Sequence, residues 1–176
     1  MALIDIDYFR RQPYGKALDN LPAEVIEETI DEASQYIEDY LDRNITIRSV
    51  TERIIGRRDW TILLDNYPIV ALTSVSYERA NGEMGTFDNS AFLIHAEAGI
   101  LEMIDKSDWF RGDTLYAVTY TAGYATVPGP IKRAVVLQTI QLLRPMYSDA
   151  TLELPELVSE DLIVNLLEKY RRKRIA

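Results

Sequence analysis

The period of the hydrophobic residues changes twice along this chain, and nothing else in the sequence constrains its fold as tightly. Over residues 22–43, Ile26, Ile30, Ala33, Ile37 and Leu41 recur at spacings of three and four while acids fill the opposite face, a pattern that predicts an amphipathic helix. Pro22 fits its first turn, where a missing N–H costs nothing. Over residues 45–121 the pattern shortens to β-branched and aromatic runs at 50–55, 60–64, 73–79, 91–94, 100–103 and 115–121. Their separators are turn formers: Gly56-Arg57-Arg58-Asp59, Asn66-Tyr67-Pro68, Asn81-Gly82, Ala98-Gly99 and Arg111-Gly112-Asp113. After Tyr124, Val127-Pro128-Gly129-Pro130 stops the sheet and opens a second helix over 130–146, with Pro130 in its first position and Pro145 near its end. The expected fold is therefore α+β, a small helical bundle with an inserted antiparallel β region, in one domain spanning residues 1–176.

The second helix is apolar around most of its circumference, through Ile131, Ala134, Val135, Val136, Leu137, Ile140, Leu142, Leu143 and Met146. Such a helix is either the centre of a core or covered by a neighbouring subunit. A closing helix with a basic tail is expected over 159–176, capped by Ser159, with Glu160 and Asp161 in its first turn. Leu162, Ile163, Leu166, Leu167 and Tyr170 form its apolar stripe. Residues 1–20 mix Leu3, Ile4, Ile6, Tyr8 and Phe9 with a Gln12-Pro13-Tyr14-Gly15 turn, and read as an N-terminal arm with one short helical or extended piece.

At 176 residues and 47% hydrophobic content the chain can bury a core of its own. The lack of cysteine excludes disulfides and Cys-ligated metal. The sequence starts without a charged-then-apolar leader, so a signal peptide is not expected, and synthesis in the cytoplasm is. No run approaches the roughly 18 apolar residues of a membrane span. The net charge of −9 hides a polarity: residues 169–176 carry five basic side chains and no acid, which leaves the preceding 168 residues at −14. An acidic body repels phosphate, which argues against sequence-specific nucleic-acid binding.

The usual catalytic constellations are missing. His95 is the single histidine, it falls in an apparent hairpin, and its plain reading is a polar residue near a turn rather than a base or metal ligand. There is no Gly-x-Ser-x-Gly elbow, phosphate-cradling loop or His-Glu-x-x-His pair. Glu27, Glu28, Asp31, Glu32, Glu38 and Asp39 read as the solvated face of the first helix. Asp105, Asp108 and Asp113 lack the glycine and glutamate positions of a calcium loop, and Arg111-Gly112-Asp113 reads as an ordinary turn. No cofactor, metal or catalytic residue is expected. Cations in a last helical turn gain about 0.3–1 kcal/mol each from the helix dipole. Five in six residues exceed that need, so the basic end also fits docking on an acidic protein surface, or, less well, on nucleic acid.

Particular words then stand out. Val118-Thr119-Tyr120-Thr121-Ala122-Gly123-Tyr124, followed by Val127-Pro128 and Ile131-Lys132-Arg133-Ala134, resembles the signature of the phage head-tail connector (adaptor) family, whose residues here are Tyr120, Ala122, Gly123, Tyr124, Val127 and Pro128. In the same order, residues 33–41 resemble its first long helix, Tyr67-Pro68-Ile69 with Thr73-Ser74-Val75 its strand passage, and Gly99-Ile100-Leu101 with Phe110-Arg111-Gly112 its hairpin. The resemblance covers residues 23–145. It implies a structural virion protein without enzymatic activity, made in the host cytoplasm and placed in the head-tail neck. It implies a homo-oligomeric, twelvefold ring beneath the portal protein, with genomic DNA passing through the channel unbound and no membrane partner. The family's C-terminal segment commonly reaches the portal, which here assigns Lys169, Tyr170, Arg171, Arg172, Lys173, Arg174 and Ile175 to portal binding. The far end of the β region, Arg79, Asn81, Gly82, Glu83, Met84 and Phe87, is the candidate contact with the next tail-side ring, a stopper or tail-completion protein. The alternatives are that the chain is itself such a stopper or tail-completion subunit, a small metal-dependent hydrolase or nuclease, or a regulatory module from a non-viral operon.

Overall fold

Five helices and seven strands follow one another in the computed structural model, which describes residues 2–16, 18, 20–56, 59–106, 114–145 and 159–171. The chain gathers into two compact units, one of residues 1–42 with 126–176, the other of residues 43–125.

The helical unit contains α1 (Ile6–Arg10), α2 (Pro13–Lys16), α3 (Ala23–Leu41), α4 (Gly129–Leu143) and α5 (Glu160–Leu167). The buried residues of α3 include Ile26, Ile30, Ala33, Ile37 and Leu41, the stripe expected from the spacing. Asp42 ends it in the left-handed region at φ 53°, which a short polar side chain tolerates better than a bulky one. The N-terminal stretch forms two short helices and is fastened to α3. Asp5 caps α1 by accepting from the Tyr8 N–H at 2.6 Å, Leu3 donates its N–H to the Ser34 hydroxyl at 3.0 Å, and Leu3, Ile4, Phe9 and Leu18 are buried. The Lys132 ammonium lies 5.0 Å from the Tyr8 ring centre. The apolar circumference of α4 is explained inside the chain: residues 134–140 are buried without a break, and the helix packs on both α3 and α5. It is the central helix of its unit, so its hydrophobicity gives no argument for a neighbouring subunit. Pro145 has no N–H with which to continue the helix. Ser159 caps α5 as expected, its hydroxyl accepting from the Leu162 N–H at 3.3 Å, and Ile163 and Leu167 are buried.

The β unit holds β1 (Arg48–Ile55), β2 (Thr61–Leu63), β3 (Ile69–Arg79), β4 (Met84–Phe87), β5 (Phe92–His95), β6 (Ile100–Met103) and β7 (Thr114–Ala122). They make a four-stranded sheet in the order β1-β7-β3-β4 and a three-stranded sheet in the order β2-β6-β5, antiparallel throughout. The alternation of β7 is strict: Tyr116, Val118, Tyr120 and Ala122 are buried, and the residues between them half-buried. Those inward residues share one core with Val75, Leu64 and Leu101, drawn from both sheets. Full burial of each aliphatic member contributes about 1.5–3 kcal/mol. Strand β4 was not expected. It pairs with β3 from Glu78–Met84 to Val75–Phe87 across the Asn81-Gly82 turn, where Gly82 takes φ 83°. Among the described residues no helix is long and apolar enough to cross a membrane.

Candidate assembly surfaces

Three places collect the residues that the sequence singled out. The first is the corner where chain enters and leaves the β unit. Tyr120 is fully buried, yet its hydroxyl donates to Glu52 Oε1 in a short hydrogen bond and accepts from the Asn66 N–H at 3.1 Å. Burial, and then the adjacent Glu52 carboxylate, hold that phenol well above its ordinary range. Asn66 continues the network, its Oδ1 accepting from the N–H and side-chain amide of Asn44 at 3.1 and 3.0 Å. Gly123 has φ 118°, and a Cβ there would lie 2.4 Å from the Thr46 carbonyl oxygen. Its N–H donates to Pro68 O at 2.9 Å, and the Tyr124 N–H to Ile45 O at 2.8 Å. Arg43 is buried with its guanidinium 3.6 Å from the Tyr67 ring centre and 5.6 Å from that of Tyr124, and it donates to the Tyr67 carbonyl. Four signature residues, Tyr120, Ala122, Gly123 and Tyr124, thus build a corner, the first three of them buried and Tyr124 half-buried. Val127 and Pro128 lie in the helical unit, Pro128 as the N-cap of α4. The sequence marks Asn66 only as a turn former and does not mark Arg43, Asn44 or Glu52. Only their residue types, polar groups next to turn formers, hinted at the role.

The second place is the β3–β4 tip. Arg79 and Glu83 close it with a backbone bond of 2.9 Å and an exposed side-chain pair at 2.8 Å, and Asn81 Oδ1 accepts from the Glu83 N–H at 3.0 Å. Met84 stands out with 76% of its surface exposed. Phe87 is different: its ring meets Tyr77 at 5.3 Å and Phe92 at 5.8 Å, on the core side. Of the six residues assigned to a tail-side contact, Arg79, Asn81, Gly82, Glu83 and Met84 therefore share one exposed tip and Phe87 does not. Beside the tip, Arg53, Ser76, Glu78, Thr86 and Ala117 line a shallow hollow of about 360 Å³.

The third place is the chain's end. α5 runs into a 3₁₀ turn at Glu168–Tyr170, which carries Lys169 and Tyr170. The Lys169 ammonium sits 5.1 Å from the Tyr170 ring centre, and the Arg171 guanidinium 5.4 Å from that of Tyr40 on α3. Arg172, Lys173, Arg174 and Ile175 lie outside the described residues. α3 presents Glu24, Glu27, Glu28, Asp31, Glu32, Glu38 and Asp39 with no basic residue between Ala23 and Leu41.

His95 ends β5, half exposed, with Nε2 2.8 Å from Glu102 Oε2 on β6; this is a cross-strand pair on an outer sheet face. Among the described residues no three His, Asp or Glu side chains gather as metal ligands. Asp108 and Asp113, with the Arg111-Gly112-Asp113 turn, lie outside the described residues.

Known proteins decide what this arrangement belongs to. The family model for head completion proteins matches residues 2–141. The chain belongs to the head completion protein family. It is a structural protein of a phage-like particle and not an enzyme, in line with the resemblance carried by residues 118–134. Solved structures share the fold, three of them from one kind of particle. One is a chain from the neck of an empty GTA particle computed with C6 symmetry, 16% identical over 96% of this chain and 93% of that one, with a TM-score of 0.65. A chain from the virion of a native gene transfer agent (GTA) particle is 16% identical over 99% and 92%, with a TM-score of 0.69. A chain from the neck of a native GTA particle computed with C12 symmetry is 18% identical over 96% and 92%, with a TM-score of 0.64. At such identities the likeness is one of fold, helices joined to antiparallel sheets. No curated protein matches the sequence.

Proposed function

We propose that this chain is the adaptor of a head-tail neck: twelve copies close into a ring on the portal of the DNA-filled head, extend the DNA channel, and offer the next tail-side ring a landing surface. The observation that carries the reading is the family match over residues 2–141, joined to a shared fold with chains taken from necks computed with C6 and C12 symmetry. A ring of identical subunits needs one heterologous contact that closes by rotation. A body at −14 suits a conduit, because a wall that repels phosphate lets DNA slide. In this reading Lys169, Tyr170, Arg171, Arg172, Lys173, Arg174 and Ile175 dock on the portal. One exposed ion pair contributes only about 0–1 kcal/mol, but twelve tails engaged at once add avidity. The β3–β4 tip, with Arg79, Asn81, Gly82, Glu83 and Met84 outermost, faces the stopper or tail-completion ring.

The test is electron microscopy of the purified protein alone and mixed with portal-bearing, DNA-filled heads. Twelvefold rings, or new density seated on the portal vertex, are expected. Density that forms only after another neck protein has been added would make the chain a stopper instead. Persistent monomers with a bare vertex in every mixture would overturn the neck reading.

A further inference from the structure

Nine of the ten large hydrophobic side chains exposed among the described residues belong to the β unit, Tyr36 being the exception. The two sheets turn their inner faces to one core, so their outer faces point in opposite directions. On the outer face of the three-stranded sheet the register sets Leu63 beside Ile100 and His95, and Thr61 beside Glu102 and Leu93. Leu63 and Leu93 are 54% and 50% exposed. On the outer face of the four-stranded sheet one row runs Arg53, Ala117, Ser76 and Thr86, and the next runs Ile55, Leu115 and Glu78. The short side chains of the first row leave the hollow of about 360 Å³, which Arg53 and Leu115 also line. Ile55, beside Leu115 in the register, is 66% exposed. Apolar surface of this kind gains about 25 cal/mol per Å² when it is covered, and the β unit carries it on two opposite sides.

We infer that these faces are the two halves of the contact between neighbouring copies: the three-stranded sheet of one copy seats on the four-stranded sheet of the next. The inference rests on the ring reading given above. A head-to-tail contact that closes by rotation needs two unlike surfaces on different sides of the subunit. A sandwich with apolar side chains on both outer faces supplies them, whereas a single foreign partner would call for only one. Shape and charge select the same pairing. The hollow over Ala117 and Ser76 leaves room for the branched side chains of Leu63 and Leu93, which stand out from the smaller sheet. Arg53 supplies a cation on one face, and Glu102, between Thr61 and Leu93, a carboxylate on the other. Stacked sheets lie about 10 Å apart, a gap that an arginine and a glutamate reaching from opposite sides can close. His95 holds that carboxylate at 2.8 Å while both side chains stay partly exposed. Like faces do not suit each other, because Arg53 would then oppose Arg53, or Glu102 oppose Glu102.

The chain has no cysteine, so introduced thiols report the contact cleanly. Thr51→Cys, on the four-stranded face, and Thr61→Cys, on the three-stranded face, are made singly and together, and the full-length proteins are treated with a bis-maleimide on portal-bearing, DNA-filled heads. The double variant is expected to give a ladder of covalent oligomers extending beyond the dimer. Each single variant is expected to stay monomeric, because unlike faces bring no two equal positions together. Arg53→Glu and Glu102→Arg each set like charges across the contact and are expected to weaken ring formation by more than about tenfold. An equal mixture of the two variants is expected to restore rings, since each copy then meets a neighbour of opposite charge on both faces. A variant that had merely misfolded could not rescue its counterpart. Wild-type rings without a ladder from the double variant, dimers from a single-cysteine variant, or charge variants that assemble as well as wild type would overturn this contact and leave the ring reading standing. A wild-type protein that forms no ring on any head would overturn the ring reading, and this contact with it.

Discussion

Gly123 tolerates no side chain, because its φ of 118° is strained for any L residue and the Thr46 carbonyl stands 2.4 Å from where a Cβ would be. Gly123→Ala is expected to lower stability by about 2–4 kcal/mol, read as a shift of the denaturation midpoint at unchanged slope; an unchanged midpoint would mean that the corner is slack. Tyr120, three residues earlier, makes a test by pH. Its phenol is held above the ordinary value of 10.0, by burial first and by hydrogen bonding to Glu52 second. A hydroxyl that stays protonated in the fold and ionises in the unfolded chain contributes stability that is fully present below pH 10 and is lost as the pH climbs toward the raised folded value. Wild type is therefore expected to weaken more steeply above pH 10 than Tyr120→Phe. The Phe variant is expected to be less stable at neutral pH by about 1–2 kcal/mol, since Glu52 and Asn66 each lose a partner. Denaturant titrations at neutral and alkaline pH measure both, and parallel alkaline declines would refute the role given to that hydroxyl.

The β3–β4 hairpin separates folding from contact within one element. Phe87 packs half-buried on Tyr77 and Phe92, so Phe87→Ala should cost roughly 1–3 kcal/mol. Met84→Asp changes an exposed side chain and should leave stability within about 0.5 kcal/mol. If the tip faces the next ring, Met84→Asp heads filled with DNA will fail to join tails in a mixing assay while still carrying the adaptor. Full joining would remove the tip from the proposed interface. The hairpin also shows what the sequence could and could not announce. Its turn was legible, because Asn81-Gly82 names a chemistry. Its second strand was not, because Met84-Gly85-Thr86-Phe87 is four residues long and includes a glycine that weakens any strand signal. The core stripe of α3 and the alternation of β7 were legible for the same reason, periodicity enforced by burial on one side. The network of Glu52, Asn66 and Asn44 was invisible, since its members sit on separate elements and meet only after the fold has formed.

At the scale of the whole molecule the governing quantity is the separation of charge between a body at −14 and a terminus with five cations. Only two of those cations, Lys169 and Arg171, lie within the described residues, and both stand near aromatic rings, at Tyr170 and Tyr40. The apolar anchors of α5, Ile163 and Leu167, precede the basic stretch. Deleting residues 169–176 therefore removes the cations without removing the buried contacts of α5. The truncated protein is expected to keep its far-UV circular dichroism and to lose attachment to portal-bearing heads. Attachment by the intact chain should weaken steeply with salt, because surface pairs are screened beyond about 8–10 Å at moderate ionic strength. Sedimentation of heads with labelled protein reads both effects. Full attachment by the truncated protein would move portal binding away from 169–175, and attachment that salt does not touch would replace the charge argument with an apolar one.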